Sequence, residues 1–304
     1  MKIKQEYIEP VNKVIRYIEQ TIDKEFSLED LASVACFSPF HFQRVFKAVM
    51  GESPKQYIKR LRLEEAARIL TFQPELNILE VALRVGFQSL EAFSRAFKDY
   101  YTISPNNYRK LEEIERININ QIPYVKNIVE NETKIEISLP SKNLEFNDLL
   151  IEIVKRPTQK CVYLQTTLQS PQIIKGSFKK IKQWSEAHEI FSDDTIVFGI
   201  IKDYPIFTSI EKCRYLTCVS VKTLTKTSGL VSYLEIPSTR YASFNINGGF
   251  HEIIKLVSYI VHNWLPQSGY KLKLEPILQF PESDPTITNF NENSYKIFVP
   301  VEPE

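Results

Sequence analysis

Hydrophobic residues in the first third of the chain recur at the spacing of amphipathic α-helices. One such stripe falls at i, i+3, i+4 and i+7 and consists of Val11, Val14, Ile15 and Ile18. Similar stripes continue to about residue 110, with polar residues between them. The pattern predicts an all-α domain over residues 1–112.

Short signals mark where some of these helices begin and end. Ser38 followed by Pro39 is a typical helix start, because Ser caps the first turn and Pro fits the first helical position. The helix predicted over 38–49 should end at Gly51, and Ser53 should then start a long helix. The sequence therefore predicts a short helix followed at once by a long connecting helix.

One pattern occurs twice in this region. Residues 31–47 read LASVACFSPFHFQRVFK, and residues 81–98 read VALRVGFQSLEAFSRAFK. Cys36 and Gly86 occupy the matching place in the turn, where a positive φ is easiest for Gly. A helix, a tight turn and a second helix starting at Ser, all repeated, predict two helix-turn-helix units that bind successive major grooves.

Residues 8–110 resemble the DNA-binding domain of the AraC/XylS family of transcription regulators. The resemblance rests on the two repeated segments, on SPKQYIKRLRLEEAARIL at 53–70 and on SPNNYRK at 104–110. It implies a seven-helix domain in which the long helix holds two reading helices about one DNA turn apart. One chain would then contact two adjacent major grooves of double-stranded DNA.

The resemblance implies base contacts from the exposed faces of both reading helices. The positions carried over are Phe40, Gln43, Arg44, Leu90, Glu91, Ser94 and Arg95. Arg can bind guanine, Gln adenine and Glu cytosine, each worth roughly 1–3 kcal/mol of discrimination. Lys47 and Lys98 are expected to contact phosphates. The alternatives are a solvated charge or a salt bridge for each Arg, and core packing for Phe40 and Leu90.

Residues 113–148 differ in composition from what precedes them. They are rich in Asn, Glu and Lys and lack a sustained helical stripe, although the alternation in 134–139 (KIEISL) indicates one strand. We interpret the segment as an interdomain linker.

A second duplication, with an offset of 80 residues, covers repeats of about 149–224 and 229–304. Matching positions include Trp184 with Trp264, Pro205 with Pro285, and Tyr215 with Tyr295. Each repeat has the pattern of two strands, a helix ending near Trp and two further strands. Two such units related by a pseudo-twofold axis predict an α+β domain, with two helices over a shared antiparallel sheet and a ligand cleft between the halves.

Residues 149–304 resemble the GyrI-like effector-binding domain. The resemblance rests on 199–218 (GIIKDYPIFTSIEKCRYLTC), 264–270 (WLPQSGY) and 297–301 (IFVPV). It implies a cleft for small, often cationic or aromatic molecules, and the combined order of domains is similar to Rob-type regulators. The wall of the cleft is predicted from strand faces and aromatic residues as Tyr163, Phe198, Tyr215, Trp264 and Gln279. The alternative for Trp264, Tyr163 and Phe198 is core packing.

Gln279 departs from the family pattern, which has a Glu on this strand. Glutamine can form hydrogen bonds but cannot neutralise a buried cation, so a neutral or polar aromatic ligand is favoured. Glutamine is also no general base, which argues against a GyrI-like hydrolase fused to a DNA reader. A protein-interaction module is a third possibility.

Overall composition adds exclusions. The net charge is only +1, so DNA affinity must come from where charges lie rather than from their sum. The four cysteines are scattered and predict reduced thiols, no metal site and no cofactor. No apolar segment predicts a signal peptide or a membrane span. We therefore expect a cytoplasmic protein. The two resemblances further imply a non-enzymatic transcription regulator, an activator controlled by a small molecule, with RNA polymerase as a further partner.

Overall fold

The computed structural model describes residues 5–111 and 150–304, apart from 205–206, 224–226, 228–229 and 274. The chain divides into two compact units, Met1–Asn120 and Gln121–Glu304. The predicted linker at 113–148 and its strand at 134–139 lie outside the described residues. Each unit is treated below by itself.

The first unit is helical, which confirms the predicted all-α region. Its helices are α1 (Ile8–Gln20), α2 (Leu28–Val34), α3 (Pro39–Met50), α4 (Pro54–Phe72), α5 (Ile78–Arg84), α6 (Leu90–Tyr101) and α7 (Pro105–Lys110). Ser38 precedes α3 as its N-cap with Pro39 at the first position, and Ser53 caps α4 through a reciprocal bond with Gln56. The stripe on α1 is buried and packs with Phe42 and Phe46 of α3.

The two helix-turn-helix units have the same turn conformation but a different residue at its left-handed position. Gly86 adopts φ +80°, and Cys36 adopts φ +57° at the matching place. In each turn the following Phe donates its backbone N–H to an Ala carbonyl, Phe37 to Ala32 and Phe87 to Ala82, both at 2.9 Å. Because the two turns have the same hydrogen bonds, the cysteine accepts the left-handed conformation that glycine takes without cost.

The second unit is built on one antiparallel sheet. Its strands are β1 (Glu152–Arg156), β2 (Gln159–Thr167), β3 (Val197–Ile201), β4 (Arg214–Ser220), β5 (Ser232–Ile236), β6 (Thr239–Asn247), β7 (Tyr270–Leu272), β8 (Ile277–Pro281) and β9 (Ser294–Pro303). The order is β1-β6-β9-β8-β3-β4-β2-β5, with β7 added on β9. The predicted duplication is confirmed. The first strand of each repeat pairs with the second strand of the other repeat, β1 with β6 and β5 with β2.

The pseudo-twofold axis passes through the centre of the sheet, where β3 and β8 pair. Gly199 lies directly opposite Gln279. These two positions are 80 residues apart and are therefore the same position in the two repeats. The axis thus brings one glycine and one glutamine face to face.

Helices cover one face of the sheet. They are α8 (Pro171–Ala187) in the first repeat and, in the second, α9 (Phe250–Tyr259), a π-helical turn (Ile260–Trp264) and α10 (Leu265–Ser268). Ile181 of α8 packs on Val162 and Val219 of the sheet. We call this side the helix face.

The opposite side of the sheet has its own buried cluster, which includes Tyr163, Phe198, Cys218, Tyr241 and Phe298. Arg156 on β1 and Phe280 on β8 belong to strands three apart, which would be about 14 Å in a flat sheet. The Arg156 guanidinium nevertheless lies 4.4 Å from the Phe280 ring centroid. The two side chains thus reach towards each other across β6 and β9, and we call this side, opposite the helix face, the concave face.

Candidate nucleic-acid interface and ligand site

The predicted DNA-contacting side chains lie on the open sides of α3 and α6. Gln43, Arg44 and Lys47 on α3 are exposed, and Phe42, Val45 and Phe46 on the other side of the same helix are buried. The corresponding exposed residues on α6 are Glu91, Arg95 and Lys98, whereas Ser94 is half-buried. Each helix therefore buries an apolar stripe and presents a polar stripe with two cations.

The two apolar residues in the predicted set are at the surface. Phe40 is 77% exposed and Leu90 is 37% exposed. Neither is a core residue, so the packing alternative fails for both. Arg44 and Arg95 form no ion pair with other residues in the described part of the first unit. Their guanidinium groups are available for an external partner.

Arg62 on the connecting helix α4 forms hydrogen bonds with loops that belong to or adjoin both helix-turn-helix units. Its guanidinium donates to the carbonyl oxygens of Ile22 at 3.0 Å and Lys24 at 2.5 Å, before the first unit, and of Gly86 at 2.9 Å in the turn of the second. A Cβ at Gly86 would lie 2.7 Å from this guanidinium and 2.8 Å from the carbonyl oxygen of Asp23. The close contact with Arg62 thus requires glycine there, and the positive φ favours it.

A second connection runs through buried charges on α4. Arg60 pairs with Glu52 at 2.7 Å and with Glu64 at 3.1 Å, and Tyr100 of α6 donates to Glu64 at 2.9 Å. Burial by itself would lower the pKa of Arg60, but Glu64 and Glu52 hold it above its ordinary value. Burial and Glu64 raise the pKa of Tyr100, which therefore keeps its proton. Neither Arg60 nor Arg62 was among the residues predicted from the sequence; the tight Gly86 turn was the signal that could have pointed to Arg62.

In the second unit, Tyr215 and Gln279 meet on the helix face at the pseudo-twofold axis. Both side chains are fully buried, and the Tyr215 hydroxyl donates to Oε1 of Gln279 at 2.8 Å. A Cβ on Gly199 would lie 1.7 Å from that hydroxyl oxygen. Gly199 therefore leaves the space in which this hydrogen bond forms.

Aromatic side chains surround the pair. The ring of Tyr215 meets those of Phe178 on α8 and Phe290 edge to face, with centroids 6.2 and 5.9 Å away. Tyr295, its counterpart in the other repeat, donates to the carbonyl oxygen of Phe290 at 2.8 Å. Burial raises the pKa of Tyr215 well above its usual value, so the phenol remains a neutral donor.

The amide nitrogen of Gln279 is buried and has no acceptor among the residues that the structure describes. A buried donor without a partner is costly and is rare in proteins. The arrangement around the axis can therefore offer one N–H donor, in an aromatic surrounding, to an added hydrogen-bond acceptor.

The five residues predicted to line the cleft do not share one wall. Tyr163 and Phe198 belong to the concave-face cluster, whereas Tyr215 and Gln279 point to the helix face. Side chains alternate between faces along a strand, and Phe198 is adjacent to Gly199. Trp264 is half-buried in the π-helical turn, where its ring stacks on Tyr270 and meets Phe244 edge to face.

The described residues contain neither a candidate metal cluster nor a candidate membrane-spanning helix. No group of three or more His, Cys, Asp or Glu side chains there has the arrangement of a metal site. None of the helices there is long and apolar enough to cross a membrane.

Comparison with known families matches both units. The helix-turn-helix domain family matches residues 31–111, and the GyrI-like small molecule binding domain family matches residues 150–302. Each match lies within one of the two compact units.

Individual relatives each match about a third of this chain. YbfP of Bacillus subtilis (strain 168), an uncharacterized HTH-type transcriptional regulator, is 40% identical over 103 residues, which are 34% of this chain and 35% of YbfP. The match thus spans about a third of that relative. The HTH-type transcriptional activator AarP of Providencia stuartii is 34% identical over 33% of this chain and 73% of AarP. The C-terminal domain of AraT, a response regulator from Geobacillus stearothermophilus, is 34% identical over 33% of this chain and 84% of that domain, with a TM-score of 0.32.

Proposed function

Because the chain belongs to the AraC family of transcription regulators and carries a C-terminal GyrI-like domain, we propose that it binds a specific DNA site and responds to a small molecule. The first unit would supply DNA binding through α3 and α6. The second unit would bind the effector. AarP is an activator by name, and we propose that this chain activates transcription too, through contact with RNA polymerase.

The observation that supports DNA binding is the pair of polar faces on α3 and α6. Arg44 and Arg95 occupy the same place in the two units, are exposed and form no ion pair within the described residues. Arg62 and the Arg60 network connect α4 to both units. A fixed pair of such helices suits two adjacent major grooves.

Site selection from random duplexes with the full chain tests this proposal. We expect one enriched motif with two half-sites about one helical turn apart, protected together in a footprint. Enrichment of no motif, or of a single half-site only, would contradict it.

The proposed effector site is the aromatic surrounding of Tyr215 and Gln279. Since Tyr215 already occupies Oε1, the Nε2 group of Gln279 is left to donate to the ligand. No carboxylate takes part in this pair, so we propose a neutral aromatic molecule with a carbonyl or similar acceptor. The same pair provides no general base, which favours a sensor over a hydrolase.

A substitution at Gln279 tests the effector class. Gln279→Glu should place an anion beside the aromatic rings and raise the affinity for lipophilic cationic dyes about tenfold, because a buried cation needs a partner charge. Calorimetric titration of the full chain measures this, with Gln279→Leu as the matched control that adds no charge. Equal dye affinity in all three proteins would argue against this site.

Regulation requires that the effector bind the DNA-competent and incompetent states with different affinity. We expect an active effector, found by thermal-shift screening, to change the DNA dissociation constant of the full chain. A ligand that stabilises the chain without any such change would favour the interaction-module alternative.

A further inference from the structure

The concave face of the sheet is asymmetric although the fold is duplicated. Positions 80 residues apart should serve the same packing role, yet they differ here in chemistry. The pairs are Arg156 with Ile236, Tyr241 with Cys161, and Phe298 with Cys218. At these three pairs, the half with β1, β6 and β9 is aromatic and cationic where the other half is aliphatic and thiol-bearing, although that other half also contains Tyr163 and Phe198. Because Ile236 fills its place without a charge, packing alone does not require arginine at 156.

Arg156 lies between two aromatic rings. Its guanidinium carbon is 4.4 Å from the ring centroid of Phe280 and 4.4 Å from that of Phe298. The side chain is half-buried, and the described residues give it no carboxylate partner. Burial lowers the pKa of Arg156, although the group remains a cation at neutral pH. Its N–H groups are thus held in a fixed plane with no acceptor among these residues.

A second donor lies next to this guanidinium. Tyr241 pairs with Val154, two residues before Arg156 on β1, so both side chains project from the same face. Tyr241 is 1% exposed, its ring meets that of Phe298 edge to face, and its hydroxyl has no hydrogen-bond partner among the described residues. Burial and, after it, the Glu275 carboxylate, which pairs with Lys273 at 3.5 Å, raise the pKa of Tyr241 to about 12, so its proton is present at neutral pH.

We propose that Arg156 and Tyr241 form a binding site for a small aromatic carboxylate on the concave face. The guanidinium binds the carboxylate through two parallel N–H donors, and the Tyr241 hydroxyl donates to one of the same oxygens. Phe198 stacks on the Phe280 ring at 5.0 Å and Arg156 lies over the same ring, so the part of this half-buried ring left exposed, its edge, contacts the apolar body of the ligand. This site is separate from Tyr215 and Gln279, which lie on the opposite face of the sheet.

Calorimetric titration of the full chain with benzoate tests the proposal, with benzamide as the neutral analogue of the same shape. We expect benzoate to bind and benzamide to bind at least about tenfold more weakly, because charge-assisted hydrogen bonds are the stronger kind. Arg156→Ile, which introduces the residue of the other repeat, should weaken benzoate binding about tenfold or more. Tyr241→Phe, which removes only the hydroxyl, should weaken it several-fold.

The matched control is Lys155→Ala, which removes one positive charge at the neighbouring position, on the other side of the strand. It should leave benzoate affinity within about twofold. An equal loss in Lys155→Ala and Arg156→Ile would overturn the proposal, as would equal binding of benzamide or displacement of benzoate by inorganic phosphate at the same concentration. Loss of binding in Gln279→Leu would place benzoate in the effector site and would also overturn it.

A folding defect in Arg156→Ile would not end the test. Arg156→Lys retains the charge but loses the planar fork and the ring stacking, so it should weaken benzoate binding several-fold. Unchanged affinity in Arg156→Lys together with unchanged affinity in Tyr241→Phe would overturn the proposal.

Discussion

The two helix-turn-helix units share one geometry but differ in the chemistry of their exposed faces. The face of α3 presents Gln43, Arg44 and Lys47 without an acid, whereas α6 adds Glu91 to its two cations. Since affinity for DNA depends mainly on phosphate neutralisation, the first helix-turn-helix unit should contribute more of the electrostatic attraction than the second. The turn and the packing thus stay constant between the two helix-turn-helix units, whereas the exposed face of the second helix diverges.

The units also differ in where they place glycine. Each has two left-handed positions, one in the turn and one after the second helix. The first unit has Cys36 and Gly51 at these positions, and the second has Gly86 and Thr102. Each unit therefore relieves the strain at one position and retains it at the other.

The largest expected effect compares the two glycines. Gly86→Ala should destabilise the chain by about 3 kcal/mol, because the methyl group adds a clash with Arg62 and the Asp23 carbonyl to the backbone strain. Gly51→Ala should cost about 1 kcal/mol, since nothing lies within 4 Å of its Cβ position. Denaturant unfolding of the helical unit, Met1–Asn120, followed within the full chain, measures the change in unfolding free energy for both variants. Equal losses would show that Arg62 is not a rigid neighbour.

The next effect separates the two reading helices. Arg44→Ala and Arg95→Ala should each weaken specific binding by roughly 1–3 kcal/mol and relax preference at different base pairs. Competition gel shifts on a set of point-substituted sites measure this, with the exposed Lys59→Ala on α4 as control. A uniform loss that is just as large on random DNA would mean that the arginines contact only phosphate.

Removing the retained strain gives a smaller effect of opposite sign. Cys36→Gly and Thr102→Gly should each stabilise the chain by about 1 kcal/mol, with Thr102 gaining more because its side chain is β-branched. The midpoint of thermal unfolding should rise in both variants. A lower midpoint would indicate that these side chains form contacts that outweigh the strain.

The smallest effect is the salt dependence of binding. Lys47→Ala and Lys98→Ala should each reduce the slope of log affinity against log salt by about 1, with no change in sequence preference. Binding titrations at several salt concentrations measure this. A changed preference at a single base pair would instead make that lysine a base contact.

Much of the first unit was predictable, because helix signals are local. Ser53 marks a helix start through its capping side chain and Gly51 a helix end through its positive φ, and the structure places both ends there; Ser38 takes the N-cap position without a side-chain capping bond. Cys36 gave no such signal, since nothing about cysteine indicates a positive φ; only its alignment with Gly86 did. Arg62 escaped prediction because its three acceptors are backbone carbonyls far away in sequence.

In the second compact unit, the sequence predicted the strands but not which strands pair. The 80-residue offset predicted the strands and the shared sheet, but not that β1 pairs with β6 and β5 with β2. Alternation assigns residues to faces without saying which face is which or which strand is adjacent. Phe198 and Tyr163 were grouped with Gln279 for that reason. The register puts both of them on the concave face, whereas Gln279 is on the helix face.

Gly199 facing Gln279 on the axis has a consequence for how such a domain can arise. Two separate identical chains would bring the same residue to this point twice, either two small ones or two large ones. When both copies are joined in a single polypeptide, one copy can carry glycine at this position while the other carries a large side chain, as Gly199 and Gln279 do. Fusion of the repeats thus allows the centre of a symmetric scaffold to become one-sided, as recognition of an asymmetric molecule requires.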